Sequence, residues 1–232
     1  MGIEERKQRE REQRRNTIIK AALTVFLKKD VSGTTMEEIA EKAELSKATL
    51  YLYFKNKEEI FLNVLILVYK KYAELLEAEA NIEITSLERV RSMGRAYLKF
   101  YREHYNYYRL MNNFNSQIDI DLSAYEVSQE MSKAKNRIWE IVCAPITAGI
   151  AEGIFKADTV PLEVGITLWT ASTGVINLWD HIQHSAQSVQ KPAEKSMESS
   201  YGHMINVNFE RILLNLWDAV FHNILVDKTL SN

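Results

Sequence analysis

The sequence predicts an all-α protein, with a small N-terminal helical head, a larger helical domain and about nine helices in total. Only eight glycines and three prolines occur in 232 residues, and so few breakers favour long helices over β-sandwiches or barrels. Apolar residues also recur at spacings of three and four along most of the chain. With 46% hydrophobic and 26% charged residues, the composition is that of a globular protein.

The first predicted helix runs from Arg6 to Lys29. Its first half is nearly all charged, whereas its second half carries an apolar stripe from Ile18 to Phe26, so we expect a solvated start and a packed end. Thr35 and Glu38 have the spacing of a capping box, in which a hydroxyl and a carboxylate each accept a backbone N–H. A second helix is therefore predicted from about Met36 to Ala43.

Two further caps predict the next pair of helices. Ser46 is expected to cap a short third helix that reaches Phe54, and Asn56 a long fourth helix that starts at Lys57. Three consecutive helices, of which the second and third are short, followed by a long one are typical of a helix-turn-helix head. We therefore predict a DNA-binding domain at 1–56 and a helical domain at 57–232.

Helical signals continue beyond the head. Thr85 starts a helix of about four turns, which is followed by a shorter aromatic helix at 106–114. An amphipathic stretch at 125–150 contains Pro145, which is expected to kink or interrupt it because proline lacks an amide donor. Gly153 is expected to end this stretch.

The C-terminal third is predicted to hold two long helices. Pro161 suits the first turn of a helix that reaches at least Trp179. Residues 185–200 form a polar segment rich in Gln, Ser, Lys and Glu, which is typical of a linker. The last helix is predicted at about 202–226, with apolar residues at spacings of three and four.

Charge and cysteine content narrow the class of protein. Residues 1–60 hold 13 Lys and Arg against 11 Asp and Glu, while the remainder is net acidic, a mild bias in the direction expected for DNA contact at the N-terminal end. Cys143 is the single cysteine, which excludes a disulfide framework and fits a reducing cytoplasm. The most apolar run, at 60–69, is too short to cross a membrane.

Residues 34–61 carry the most specific pattern. In a helix-turn-helix, one helix lies across the phosphates and the next enters the major groove, so apolar side chains face the core and short or polar ones face the DNA. The sequence TTMEEIAEKAELSKATLYLYFKNKEEIF resembles the DNA-binding head of the tetracycline-repressor (TetR) family almost position by position. A fainter resemblance, to that family's junction between its seventh and eighth helices, covers ITAGIAEGIFKADTVPLEVGITLW.

The resemblance implies roles for individual residues. Lys47, Ala48 and Thr49 are expected to read bases, whereas the other DNA-binding candidates are expected to contact phosphates or bases around them. The family commonly has glycine at position 44, so Glu44 is expected to need a left-handed backbone or a different turn. The alternative is an ordinary helical hairpin. The full set of DNA-binding candidates is Thr34, Thr35, Ser46, Lys47, Ala48, Thr49, Tyr51, Tyr53 and Lys57.

The charged N-terminal arm has two interpretations. Its basic residues can reach phosphates or a minor groove, or they can belong to a solvated helix held by pairs such as Glu5 with Arg9 and Glu10 with Arg14. The two remain equally open. The basic residues concerned are Arg6, Lys7, Arg9, Arg11, Arg14 and Arg15.

Aromatic side chains mark a candidate effector pocket. Rings with hydroxyl groups combine apolar area with a polar handle, as ligand pockets require, although an aromatic stripe at helical spacing is more often core. The ligand-binding candidates are Tyr97, Tyr101, Tyr105, Tyr108, Phe114, Trp139 and Cys143.

The resemblance also implies a dimer. The helix that starts at Pro161 and the last helix are expected to form a four-helix bundle with a second copy, with intrachain core as the alternative for some residues. The interface candidates are Trp169, Gly174, Trp179, Leu213, Leu216 and Trp217.

No catalytic or metal-binding arrangement emerges. The sequence has no glycine-rich phosphate loop, nucleophile elbow or HExxH stretch, so neither an enzyme nor a cofactor is expected. Asp180, His181 and His184 have helical spacing, but paired histidines at a helix end more often face solvent than bind metal.

The sequence predicts a homodimeric, ligand-responsive repressor released from a palindromic operator by a small apolar or aromatic effector. The alternative is a helical protein-interaction module without sequence-specific DNA binding.

Overall fold

The computed structural model describes residues 2–29, 31–81, 85–117, 125–188 and 207–226, and their side chains except at 113–117 and 184–188. Within these ranges the chain forms nine α-helices and no strand, which confirms the predicted all-α class. The helices are α1 Ile3–Lys28, α2 Met36–Lys42, α3 Lys47–Tyr51, α4 Lys57–Ala80, α5 Ser86–Glu103, α6 Tyr105–Gln117, α7 Ser128–Ala151, α8 Pro161–Ser188 and α9 Phe209–Ile224.

The chain divides into two compact units. The first comprises Met1–Glu77 and Lys99–Ile138, and the second comprises Ala78–Leu98 and Trp139–Asn232. The division falls inside α4, α5 and α7, so these three helices contribute residues to both units. The domain boundary predicted after residue 56 stays a prediction, because a division by packing does not measure which parts fold together.

The core of the first unit joins α1 to the helices of the head. Ile18 and Phe26 of α1 are fully buried, as are Ile39 of α2 and Leu50 of α3. The Phe26 ring meets the Phe61 ring of α4 edge to face, with centroids 5.5 Å apart. Edge-to-face pairs place the positive ring edge over the negative face. The apolar half of α1 therefore anchors the head, as its sequence pattern predicts.

The core of the second unit gathers side chains from α5, α7, α8 and α9. Phe155, in the loop after α7, lies against Gly149, where a Cβ atom would come within 2.4 Å of the ring. The backbone of this loop also pairs with the end of α9, through Lys156 N to Ile224 O at 2.8 Å. The buried members of the cluster are Val90, Ile146, Phe155, Val164, Leu168 and Phe221.

Of two predicted boundaries in α7, the interruption at Pro145 is absent, whereas the helix end beside Gly153 is confirmed. Helix α7 runs through Pro145 to Ala151, so the proline does not interrupt it; the Thr147 hydroxyl donates to the Cys143 carbonyl at 3.1 Å in the turn around this proline. Gly153 follows the helix end with a φ of 68°, the left-handed conformation that ends helices.

Helix α8 reaches Ser188 and so enters the segment predicted as a linker at 185–200. Helix α9 begins at Phe209. The rest of the predicted linker and the predicted start of the last helix, at 202–206, lie outside the described residues.

Candidate functional site

The helix-turn-helix is built by the caps that the sequence predicts. The Thr35 hydroxyl accepts the Glu38 backbone N–H at 3.3 Å, and the Glu38 carboxylate accepts the Thr35 N–H at 3.0 Å, so α2 begins with a complete capping box. The Ser46 hydroxyl accepts the Thr49 N–H at 3.1 Å and starts α3. Asn56 accepts the Glu59 N–H at 2.9 Å at the start of α4.

The turn between α2 and α3 places a charged residue where glycine is favoured. Glu44 has a φ of 57°, the left-handed region in which a side chain crowds the backbone. The Leu45 N–H returns to the Ala40 carbonyl at 2.9 Å, which closes the end of α2. The left-handed backbone expected from the sequence at this position is confirmed.

Helix α3 has one buried face and one exposed face. Leu50 of α3 and Phe54, which follows the helix, are 0% and 1% exposed and fix α3 on the head. On the other face Ser46, Lys47, Ala48 and Tyr51 are exposed, while Thr49 and Tyr53 are half-buried. The six residues that the sequence assigns to DNA in this helix and directly beside it thus lie on the accessible side or at its edge.

Lys47 and Glu37 form an ion pair on this surface. Both side chains are more than half exposed. The hydrogen bond from Lys47 holds the pKa of the Glu37 carboxyl below its ordinary value, so the carboxylate stays charged. A base or phosphate that approaches Lys47 therefore competes with Glu37 for its ammonium group.

The remaining phosphate candidates differ in their accessibility. Thr34 is buried at 2% exposure, whereas Thr35 is exposed. The Lys57 ammonium donates to the Ser32 and Thr34 carbonyls, both at 3.1 Å, and so secures the loop before α2. Of the two threonines, Thr35 is the one whose side chain DNA can reach in this arrangement.

Arg15 occupies a position that sequence reasoning missed. One guanidinium nitrogen donates to the Tyr53 carbonyl at 2.9 Å, and the group lies 4.3 Å from the centroid of the Phe54 ring. A second nitrogen donates to the Asn63 side chain at 3.4 Å. Arg15 thus joins α1 to the end of α3 and to α4, and it differs from the arm residues with which the sequence groups it. No local signal reveals this, because 38 residues separate Arg15 from Tyr53.

Leu52 is a second residue absent from the predicted set. It follows α3 directly and is 74% exposed, a high exposure for a large apolar side chain. Such a side chain suits contact with a thymine methyl group. Its position between Tyr51 and Tyr53, both already candidates, is the signal that could have found it.

The N-terminal arm is helical and solvated. Residues 3–14 are exposed along α1, and Arg6 pairs with Glu10 at 2.9 Å. Arg9 donates to the Glu5 carbonyl at 3.4 Å. Whether the arm touches DNA stays a prediction.

Three of the predicted ligand residues form a tyrosine cluster in the first unit. The Tyr101 ring meets Tyr105 at 5.6 Å and Tyr108 at 5.2 Å, both nearly perpendicular. Tyr108 is 1% exposed, as expected for a core ring. Phe114 lies in α6, but its side chain is outside the described residues.

The second unit contains a cavity of about 400 Å³ between α5, α8 and α9, within the range of ligand pockets. Tyr97, from the predicted ligand set, lines it together with Leu213 and Trp217 from the predicted dimer set. The lining residues are Arg91, Gly94, Arg95, Tyr97, Leu98, Ser172, Leu213, Leu214, Trp217, Asp218 and Phe221.

The position of Trp217 defines one wall of this cavity. Its indole N–H donates to the Ser172 hydroxyl at 2.8 Å. The ring lies so close to α5 that a Cβ atom at Gly94 would be 2.8 Å from it, so a larger residue there would displace the ring. The Tyr97 and Thr173 hydroxyls are 2.8 Å apart and fix the ring of Tyr97 beside the same cavity.

Trp139 and Cys143 lie on α7. The Trp139 ring meets Trp169 edge to face at 6.0 Å. Cys143 is half-buried, and burial raises the pKa of its thiol, which favours the neutral thiol over a reactive thiolate. Neither residue lines the cavity beside Trp217.

The predicted dimer residues fall into two groups. Trp169 is 36% exposed although its ring meets Trp139, and a Cβ atom at Gly174 would meet nothing within 4 Å, so both positions are accessible on α8. Leu213 is 2% exposed and Trp217 is tied to Ser172, which fits the intrachain alternative. Leu216 is half-buried, as is Trp179, whose ring stacks on Phe209 at 4.8 Å.

Asp180 and His181 lie on α8, and the side chain of His184 is outside the described residues. In the part of the chain that the structure describes, no three His, Cys, Asp or Glu residues are grouped to hold a metal ion. No helix in the described ranges is both long and apolar enough to cross a membrane.

Comparison with known families places both parts of the chain. Residues 18–64 match the family described as bacterial regulatory proteins, tetR family, and residues 90–199 match the tetracyclin repressor-like C-terminal domain. The chain belongs to the TetR family. The first match spans the packed half of α1 through the start of α4, which is the part that holds the helix-turn-helix. As a TetR-family member, the chain is a DNA-binding transcriptional regulator.

Individual relatives are also described as helix-turn-helix transcriptional regulators. The chain is 25% identical to the uncharacterized HTH-type transcriptional regulator YhgD of Bacillus subtilis, over 62% of this chain and 72% of that protein. It is 27% identical to the HTH-type transcriptional repressor NicS of Pseudomonas putida, over 62% of this chain and 66% of that protein. The structure of FadR from Bacillus subtilis in complex with stearoyl-CoA aligns over 90% of this chain and 98% of that one, with a TM-score of 0.63 at 16% identity.

Proposed function

We propose that this TetR-family member is a homodimeric repressor, acting in the cytoplasm, that leaves its operator when a small apolar or aromatic effector binds the second unit. The observation that carries the proposal is α3, which buries Leu50 and is followed by the buried Phe54, so that a short, polar face turns outward. This is the arrangement by which a recognition helix enters a major groove. Lys47, Ala48 and Thr49 are the proposed base readers, with Thr35, Ser46, Tyr51, Tyr53 and Lys57 around them.

The proposed dimer uses α8 and α9. Large apolar side chains remain exposed on both helices, which is costly in water unless a partner covers them. A second copy related by two-fold symmetry would bury the same side chains on both protomers and place two recognition helices on successive half-sites. The exposed residues are Leu162, Ile166, Trp169 and Leu178 on α8, and Ile212 and Leu214 on α9.

The proposed effector site is the cavity beside Trp217. It combines apolar walls with a few polar groups, which is the usual composition of a small-molecule site. That the Bacillus subtilis FadR structure contains stearoyl-CoA supports the idea that this fold holds small molecules. The tyrosine cluster of the first unit is the second candidate, although the burial of Tyr108 favours a structural role for it.

In the proposed mechanism, the effector shifts an existing equilibrium between a DNA-competent dimer and a splayed one. Helix α4 begins directly after the helix-turn-helix and ends with residues of the second unit. It is therefore the proposed connection between effector and head. If every ligand that binds leaves DNA affinity unchanged, this mechanism is wrong.

The test of the repressor function is binding to genomic DNA fragments over a salt series. Wild type is compared with Lys47→Ala and Tyr53→Ala, and with Lys133→Ala as a control that removes an exposed lysine of α7. We expect sequence-selective binding in wild type and control, with a loss of about 1–3 kcal/mol in Lys47→Ala. Only weak, salt-sensitive binding to all fragments would instead favour a protein-interaction module.

A further inference from the structure

The polar groups around the cavity between α5, α8 and α9 indicate what kind of effector it accepts. Four of these groups are already paired. Arg91 pairs with Glu88 at 2.8 Å and with Asp218 at 3.6 Å, which also gives Asp218 a partner. The Tyr97 hydroxyl has Thr173, and the Trp217 indole has Ser172. The polar groups of these four residues therefore already have partners within the protein.

Two hydrogen-bond donors in the lining lack an acceptor. Arg95 is exposed and makes no hydrogen bond or ion pair with any residue that the structure describes. Ser172 is 1% exposed; its oxygen accepts from Trp217, and its own proton has no acceptor among the described residues. Burial of an unused hydroxyl donor is unfavourable. The cavity therefore offers donors and a positive charge.

The rest of the lining is apolar. Trp217, Phe221 and Leu213 are among the apolar lining residues, and Phe221 and Leu213 are themselves 1% and 2% exposed. The apolar part of a ligand would displace poorly bound water from these walls. A guanidinium such as that of Arg95 binds a carboxylate or phosphate through parallel N–H donors. A purely neutral apolar ligand would leave the buried Ser172 hydroxyl proton without an acceptor and would gain nothing from the charge of Arg95.

We propose that the effector of this cavity is an amphipathic anion, whose apolar body lies against Trp217 and Phe221 and whose acidic group is bound by Arg95, with Ser172 as a second donor. The inference rests on the proposed effector function of this cavity and names the chemical class that it selects. Arg95 is the residue that sets the preference for charge, and Gly94 is the residue that keeps the cavity open for the apolar body.

The test uses two matched pairs of probes, decanoate with decanol and 2-naphthoate with 2-naphthalenemethanol. Each pair shares an apolar body and differs in charge. Binding is measured by calorimetry with the full chain, for wild type, Arg95→Gln and Arg211→Gln, the last being an exposed arginine of α9 outside the cavity lining. We expect at least one acid to bind wild type and Arg211→Gln about ten-fold more tightly than its alcohol, with an advantage that falls as salt increases. The advantage is expected to disappear in Arg95→Gln.

A second variant separates the body of the ligand from its charge. Gly94→Ala places a methyl group against the Trp217 ring and is expected to weaken the acid and its alcohol equally. If acid and alcohol bind wild type alike, if Arg95→Gln keeps the preference, or if neither acid binds at millimolar concentration, the inference is wrong. Operator release is measured separately. An acid that binds through Arg95 without releasing DNA would leave the ligand class standing and contradict the repressor mechanism.

Discussion

At the scale of single residues, two glutamates shape the DNA-facing surface in ways that composition does not show. Glu37 places a carboxylate beside Lys47 on a surface that is expected to meet phosphates. Glu44 occupies a left-handed turn with φ 57° in which the TetR family commonly has glycine. Both residues oppose a local preference, one electrostatic and one steric, and both can be tested by single substitutions.

Glu37→Gln is expected to raise operator affinity. The substitution removes a negative charge that DNA repels and releases Lys47 from its ion pair. Electrophoretic mobility shifts over a salt series measure the effect. Glu41→Gln, which removes a charge from the same helix, serves as the control. Equal gains in the two variants would mean that net charge, and not the pair with Lys47, limits binding.

Glu44→Gly is expected to stabilise the protein by up to about 1 kcal/mol. A left-handed conformation costs a non-glycine residue roughly 1–2 kcal/mol in the folded state. The greater conformational entropy of glycine in the unfolded chain offsets part of the stability gained by removing that strain. Urea unfolding measures the change. Glu44→Ala keeps the side-chain strain and is the matched control. If both variants have the same stability, strain at this turn is not the cause.

At the scale of elements, the position of the short helix α3 depends on contacts from other helices. A helix of five residues is too short to be stable alone, so Leu50, Phe54 and Arg15 set its orientation. Arg15 acts from α1, through the Tyr53 carbonyl and the Phe54 ring. It is a positioning residue for the recognition helix.

Arg15→Lys is expected to weaken operator binding several-fold and to lower stability by about 1 kcal/mol. Lysine keeps the positive charge but cannot donate to Tyr53 and Asn63 together from a planar group. Operator titration and urea unfolding measure the two effects. Arg14→Lys, at an exposed neighbour, is expected to change neither, and similar losses in both variants would assign the effect to the arm.

At the scale of the whole molecule, α8 and α9 carry exposed apolar side chains that the proposed dimer would cover. Ile166 and Leu178 of α8 are 41% and 48% exposed, and Leu214 of α9 is 50% exposed. Together with the open surface at Gly174, they form the face through which the proposed dimer would assemble.

Ile166→Glu is expected to convert the dimer to a monomer and to abolish tight operator binding, because burying an unpaired charge in an interface costs several kcal/mol. Sedimentation velocity measures the oligomeric state. Ile3→Glu, at an apolar residue with 77% exposure on α1, should leave the dimer intact. A dimer that persists in Ile166→Glu would place the interface elsewhere.

What the sequence by itself determined is local. The Thr35–Glu38 box, the Ser46 cap and the left-handed turn at Glu44 depend on residues within a few positions of one another, and all were predictable. Only the tertiary structure decided which distant residues meet. Arg15 reaches Tyr53 across 38 residues, and Trp217 reaches Ser172 across 45. Leu213 and Trp217 have the helical spacing expected of an interface, yet they line a cavity inside the chain, because periodicity marks an apolar face without identifying what packs against it.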